Sequence, residues 1–312
     1  MATRSRARKR PRGSVPPWVF LLLGALLVGA LLLRSKVHPP RPPEESPPRD
    51  SSYADPPKGR SPRSGEARPL LRKPTPSGTG VPSAPRIGRV GQAVLAVVLD
   101  DVGQSLDLAE AASGRLPAPV TFAVIPFLPA SESSARLLHG RGFPVILHAP
   151  MEPLGPRRWR ATPGTLLTGM AASEVERILL RDIEAVPHAE GVNNHMGSRA
   201  TQDADLMRVV MGVLKERGLY FLDSRTSPLT VAHEAAREAG VPSASRAVFL
   251  DGEDDVGAIM AQLDTLVARS RKEGALVGIG HLRPNTVEAL ARRMPYWSSR
   301  SVRFVPLREV VR

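Results

Sequence analysis

The 312-residue chain contains no cysteine. That excludes disulfides, a thiol nucleophile and Cys-ligated zinc, and leaves His and carboxylates as the only strong protein ligands for a metal. Aromatic residues are scarce, at 4% of the chain, so stacking rings of the kind that carry sugars or bases are few. No Gly-rich phosphate fingerprint follows any apolar run, and a nucleotide-binding fold therefore has no support. Charge of one sign is in excess, +13 overall, but only in one part of the chain. Residues 1–91 hold 18 Lys and Arg against 5 Asp and Glu, whereas residues 92–312 hold 25 of each. A folded region with no net charge offers no basic groove, so nucleic acid is not expected as a partner.

The basic excess begins in a tail, residues 1–14, with Arg4, Arg6, Arg8, Lys9, Arg10 and Arg12. An apolar run follows from Val15 to Leu33. As a helix it would span about 28 Å, the hydrocarbon thickness of a bilayer. The flank before the run is the more basic, which predicts a cytoplasmic N-terminus. Leu31-Leu32-Leu33-Arg34 offers no small-x-small cleavage site, so an uncleaved signal anchor over 15–34 is favoured over a cleaved signal peptide. The lipid bilayer is thus an expected partner. The chain is expected in the cytoplasmic (inner) membrane, single-pass, with its folded part on the outer, periplasmic side. Residues 35–91 are rich in Pro, Arg, Ser and Gly, and without apolar periodicity they predict a disordered, partly polyproline-II linker.

Residues 92–312 read as one α/β domain. Ala93–Leu99 is a continuous apolar run, the mark of a strand buried on both faces. It ends in Asp100-Asp101. Further strands are predicted at 120–124, 143–147, 191–194, 219–222, 247–250, 275–279 and 302–306. Helices are predicted at 105–112, 131–138, 173–185 (opening with a Ser173–Glu176 capping box), 203–217, 230–239, 256–272 and 286–294. This alternation predicts a parallel sheet with helical crossovers, closed or partly closed into a barrel somewhat smaller than the eight-fold version.

Seven residues fall at the predicted strand ends: Asp100, Asp101, His148, His195, Asp223, Asp251 and His281. In a parallel barrel these share one rim. Two or three imidazoles with a carboxylate would make a divalent-metal site with a position open for water. A second carboxylate would take a proton and a histidine would supply one. Against this stands the plainer reading, in which Asp caps a helix and a strand-end His is merely hydrogen-bonded. His38, His139, His188 and His233 fall in the linker, helices or loops and read as structural or exposed.

The motifs in this region resemble those of a known family. They are Leu99-Asp100-Asp101-Val102-Gly103, Val120–Pro126, Leu147-His148-Ala149-Pro150-Met151-Glu152, Gly191–Ser198, Phe221–Thr226 and Gly280-His281. Together, and in this order, they resemble the divergent polysaccharide deacetylases, a branch of the carbohydrate esterases with the NodB-type fold. The resemblance implies a distorted (β/α)7-type barrel over 92–312, preceded by the transmembrane helix and the linker. It implies metal-assisted removal of N- or O-acetyl groups from a polysaccharide or cell-wall glycan, with zinc as the first candidate among divalent metals. Asp100 would be the general base and His281 the acid that protonates the leaving group. Asp101 and His148 would be metal ligands. The second histidine of the His148 motif is replaced by Glu152, and His195 would supply the missing imidazole. Glu152, Asn193, Asn194, Asp223 and Arg225 are assigned to substrate binding at the rim. For Asp223, Ser224 and Arg225 a local salt bridge and turn is an equal alternative. The Glu152 departure and the few aromatics motivate a second reading, a weak or inactive deacetylase-like domain that binds glycan or a cell-envelope partner. A phosphoesterase on the same rim has little support without a phosphate cradle.

Overall fold

The computed structural model describes residues 92–117, 119–155 and 162–312. The basic tail, the expected anchor at 15–34 and the expected linker at 35–91 lie outside the described residues. Among the described residues, no helix is long and apolar enough to cross a membrane.

Seven parallel strands close into a barrel. They are β1 (Val94–Val102), β2 (Thr121–Val124), β3 (Val145–Met151), β4 (Ala189–Met196), β5 (Tyr220–Asp223), β6 (Ser243–Phe249) and β7 (Leu276–His281). Each pairs with the next in sequence, and β1 pairs with both β7 and β2. Helices α1 (Leu106–Arg115), α2 (Ser131–Gly140), α3 (Ala172–Glu184), α4 (Ala204–Arg217), α5 (Ala232–Ala239), α6 (Val256–Glu273) and α7 (Pro284–Ser298) follow the strands in turn. The distortion lies between β1 and β2. The upper part of β1, from Val98, pairs with β2, while its lower part pairs with a two-residue strand, β8 (Arg303–Phe304), through Val94 and Leu95. The rest of the expected 302–306 strand turns inward, and Val305, Leu307 and Val310 join the barrel's inner apolar cluster.

Strand alternation sorts the side chains. In β1, Leu95, Val97 and Leu99 join the cluster that packs under the helices, and Ala96 and Val98 join the inner one. Asp100 continues the inner row. In β3, Ile146 is inner and Leu147 and Ala149 are outer, so His148 is inner. In β7, Val277 and Ile279 lead in the same way to His281. The inner layer is tightly filled: a Cβ on Gly191 would lie 2.2 Å from the Tyr220 ring, so glycine is required there.

Several expected boundaries move. His148 and His195 do not end their strands but lie inside β3 and β4, because the ladder between these two continues through His148↔Asn193 and Pro150↔His195 to Met151↔Met196. β6 starts four residues earlier than expected. Ser243-Ala244-Ser245 is a poor strand sequence, but pairing with β5 enforces it. The Ser173–Glu176 capping box does not form. α3 starts at Ala172 with no side-chain cap, and Glu174 and Val175 donate to the carbonyl of Ala171 instead.

Candidate active site

The polar residues of the inner rows meet at the C-terminal mouth of the barrel, around a cavity of about 450 Å³, a size usual for small-molecule sites. Asp100, Asp101, His148, Asn194, His195, Arg225 and His281 line it, and so do Ser224, Arg246 and Phe249.

Strict alternation would point Asp101 away from this cavity. A bulge prevents that: from Leu99 to Val102, β1 advances three residues while β2 advances two, and Asp101 adopts a left-handed φ of 63°. Two consecutive carboxylates thereby face one site. Met196 and Arg225, also on the cavity wall, share a positive φ. Strain of this kind concentrates where a side chain must be aimed. The chain leaves the bulge through Gly103 at φ 129°, where a Cβ would stand 2.8 Å from Ser131 Oγ.

Asp101 is the hub. Its Oδ1 lies 3.0 Å from His195 Nδ1 and 3.3 Å from His148 Nε2, and its Oδ2 lies 3.8 Å from His281 Nε2. One ligand atom from each of Asp101, His148 and His195 falls within 4.8 Å of the others, a grouping that could hold a metal ion. Burial opposes ionisation of Asp101, but hydrogen bonds from His148 and His195 outweigh it and hold the carboxyl well below the usual range.

The next shell fixes proton positions. Asn193, fully buried, donates from Nδ2 to Asp100 Oδ1 (2.8 Å) and to Ser224 Oγ (3.1 Å). Its Oδ1 must then accept, and the partner at 2.8 Å is His148 Nδ1. His148 therefore carries a proton on Nδ1 and turns Nε2 toward Asp101, the atom that would ligate a metal once its own proton is lost. His281 is held likewise: Nδ1 lies 3.0 Å from Asp251 Oδ1, its backbone N donates to Asp251 Oδ2, and Thr286 Oγ1 donates to that same oxygen. The Asp251 hydrogen bond raises the imidazole's pKa, and Asp251 itself stays low because His281 outweighs its burial. Asp100 differs from Asp101: its side chain is 6% exposed against 37%. Burial pushes its carboxyl upward, opposed by the His148 charge. The mouth thus holds two adjacent carboxyls whose pKa values are pushed apart, Asp100 upward and Asp101 downward, an arrangement suited to acid–base work.

Not every residue expected at the rim reaches the cavity. Glu152 turns away. Its Oε2 accepts from Thr168 N and Oγ1 (2.8 and 2.7 Å), and its backbone carbonyl accepts from Arg199 N and Ala200 N. It anchors two loops to the end of β3, because β3 stops at Met151 and the chain leaves the barrel wall there. Asn193 is too buried to meet a ligand. Asp223 accepts from Arg225 N and Thr230 Oγ1, holding a turn as its plainer reading expected, though without an ion pair to Arg225. Asn194 lines the cavity while bracing Met196 O and Ser224 N. Sequence reasoning missed Arg246, because Ser243–Arg246 does not read as a strand, and Phe249, which falls in the expected 247–250 strand but carries no reactive group. Once β6 is known, Arg246 stands two residues beyond the inner-row Ala244, and that parity would have found it. Of the four histidines set aside, His139 and His188 are exposed and stacked on each other at 3.9 Å.

Comparisons with known proteins bear on the family and the fold. Residues 97–311 match the family described as divergent polysaccharide deacetylase. An uncharacterized protein of Haemophilus influenzae is 37% identical over 199 residues, covering 64% of this chain and 70% of that one. The uncharacterized protein YibQ of Escherichia coli K12 is 37% identical over 196 residues, which span 63% of this chain but only 60% of the relative. A crystal structure of an uncharacterized protein from Agrobacterium tumefaciens superposes with a TM-score of 0.68 at 24% identity, covering 73% of this chain and 93% of that one. At that identity the likeness is one of fold.

Proposed function

The chain belongs to the divergent polysaccharide deacetylase family, and on that premise we propose that residues 92–312 form a metal-dependent deacetylase acting on acetylated glycan outside the cytoplasmic membrane, to which residues 15–34 anchor it. The observation that carries the catalytic part is the convergence of Asp101, His148 and His195 beside Asp100 and the Asp251–His281 pair. The anchor rests on the basic-then-apolar N-terminal sequence.

The donor set of one ionised carboxylate and two imidazoles suits zinc or a similar divalent ion. Bound there, such an ion would polarise the acetyl carbonyl and lower the pKa of a water. Asp100 would take a proton from the attacking water as its oxygen adds to the carbonyl carbon. His281, whose pKa the Asp251 hydrogen bond raises, would then donate from Nε2 to the departing nitrogen or oxygen of the sugar. The C–N or C–O bond breaks, and acetate and a free amine or hydroxyl leave. Asn193 couples the two halves of the machinery, since it holds both the base and the ligand His148.

The test is acetate release from acetylated cell-wall glycan by the zinc-loaded full chain. Loss of release in both Asp100→Asn and His148→Ala supports the hydrolase. Release that survives both contradicts it, and glycan binding without turnover in the wild type would favour the inactive, binding-domain reading.

A further inference from the structure

Two guanidinium groups share the cavity with the carboxylates, and the proposed hydrolysis uses neither. Arg246 lies in β6, half-buried. Its Nε donates to Ser224 O (2.6 Å) and its Nη2 to Arg225 O (2.9 Å), so its plane is fixed by backbone. It lies over the Phe249 ring at 5.0 Å, and that ring meets His281 edge-on at 5.5 Å. Among the described residues no carboxylate pairs with Arg246 or Arg225, and no protein group accepts from Arg246 Nη1. The nearby carboxylates are committed, Asp100 to Asn193, Asp223 to Arg225 N and Thr230 Oγ1, and Asp101 to the two histidines. Burial disfavours the charge on Arg246. The Asp100 and Asp223 charges partly offset that cost, but a half-buried cation with no carboxylate in contact still gains from a ligand that supplies one.

We infer that Arg246 and Arg225 form an oxyanion subsite, so that the sugar taken by this site carries a carboxylate or phosphate close to its acetyl group. The inference rests on the deacetylase reading, because it needs a sugar in this cavity. A guanidinium fork held in one plane matches a planar carboxylate or a phosphate edge. A single aromatic ring separates the fork from His281. The anion therefore sits on the reacting sugar or on its immediate neighbour, and a neutral acetylated glycan would leave both arginines unanswered.

The experiment titrates the zinc-loaded full chain with N-acetylglucosamine, N-acetylmuramic acid and N-acetylglucosamine 6-phosphate, following binding by NMR. At least one anionic sugar should bind about tenfold or more tighter than the neutral parent, the scale of one charge-assisted contact. The arm that gains tells carboxylate from phosphate. In Arg225→Gln, an exposed substitution that leaves the backbone braces of Arg246 in place, the preference should fall severalfold, and in Arg225→Gln/Arg246→Gln it should vanish. Equal binding of all three sugars, no binding of any, or a preference that survives the double variant overturns the subsite. Acetate release measured in parallel separates the two claims. Anion preference without acetate release keeps the subsite and removes the hydrolase, and acetate release without preference does the reverse.

Discussion

Along β1, β3 and β7, two residues separate hydrocarbon from chemistry. Val98, Ile146 and Ile279 belong to the inner apolar cluster, and Asp100, His148 and His281 stand one step higher in the same inward rows. The backbone is the same parallel ladder in both layers, and what changes is the supply of partners. In the upper layer Asp100, His148 and His281 each meet a polar partner in Asp101, Asn193 or Asp251. In the lower layer the neighbours are chiefly Ala, Val, Ile and Leu, with Tyr220 and Thr121 the polar-tipped exceptions. Burial of charge is tolerated here by answering it, and only at the level where strands from several sides can present polar side chains.

The sharpest way to break this contrast is to move a carboxylate down one step. Val98→Asp would place it in the inner apolar cluster, opposite the Thr121 hydroxyl but with no charged partner in that cluster, and the cost should exceed about 4 kcal/mol, enough to abolish cooperative thermal unfolding. A stable Val98→Asp protein would mean that the lower layer is wetter or looser than its packing indicates. Asp100→Asn makes the opposite change in the upper layer. It keeps an oxygen for Asn193, so Tm should hold within a few degrees while acetate release falls about 10³-fold, the middle of the range for losing a general base. A collapse in Tm instead would make Asp100 a structural group.

Asp182 sharpens the comparison from outside the barrel. It sits on α3, fully buried against Gly164, and among the described residues neither carboxyl oxygen has a hydrogen-bond partner. Burial pushes its pKa up to about 8, with the Arg181 charge opposing. The folded value lies above the unfolded one, so this group leaves stability intact below about pH 4 and erodes it as pH rises toward 8. Asp182→Asn should remove that slope and raise stability near pH 8 by on the order of 2 kcal/mol, read from denaturant midpoints across pH 4–9. Matching pH profiles for wild type and variant would show that the carboxyl has found a partner in solution. The smallest expected effect belongs to Asn193→Ala, which leaves every proposed reacting group present but removes the brace between Asp100 and His148. Acetate release should fall about 10- to 100-fold, with weaker zinc retention. An unchanged rate would show that the base and the ligand hold their own positions.

Much of the upper layer was legible because chemistry-bearing residues followed apolar runs: Asp100 and Asp101 after Leu95–Leu99, His148 after Val145–Leu147, His281 after Val277–Ile279. The seven-strand parallel barrel was legible for the same reason, in the spacing of those runs. The lower closure was not, because β8 is two residues long and gains its pairing from the gap between β1 and β2. Glu152 misled because a position four residues past His148 lies beyond the strand, where direction depends on a turn. Arg246 escaped because a Ser-Ala-Ser-Arg strand exists only through its neighbours. The side-by-side aim of Asp100 and Asp101 was equally invisible, since alternation predicts opposite faces and only the bulge reverses it.

The central claim is that His195, rather than the residue four positions after His148, completes the metal triad. Zinc content of the purified full chain tests it directly, with wild type, His195→Ala and Glu152→Gln measured side by side. About one zinc per chain in wild type and Glu152→Gln, with little in His195→Ala, is the predicted result. Zinc retained in His195→Ala but lost in Glu152→Gln, or absent from the wild type after loading, would contradict it.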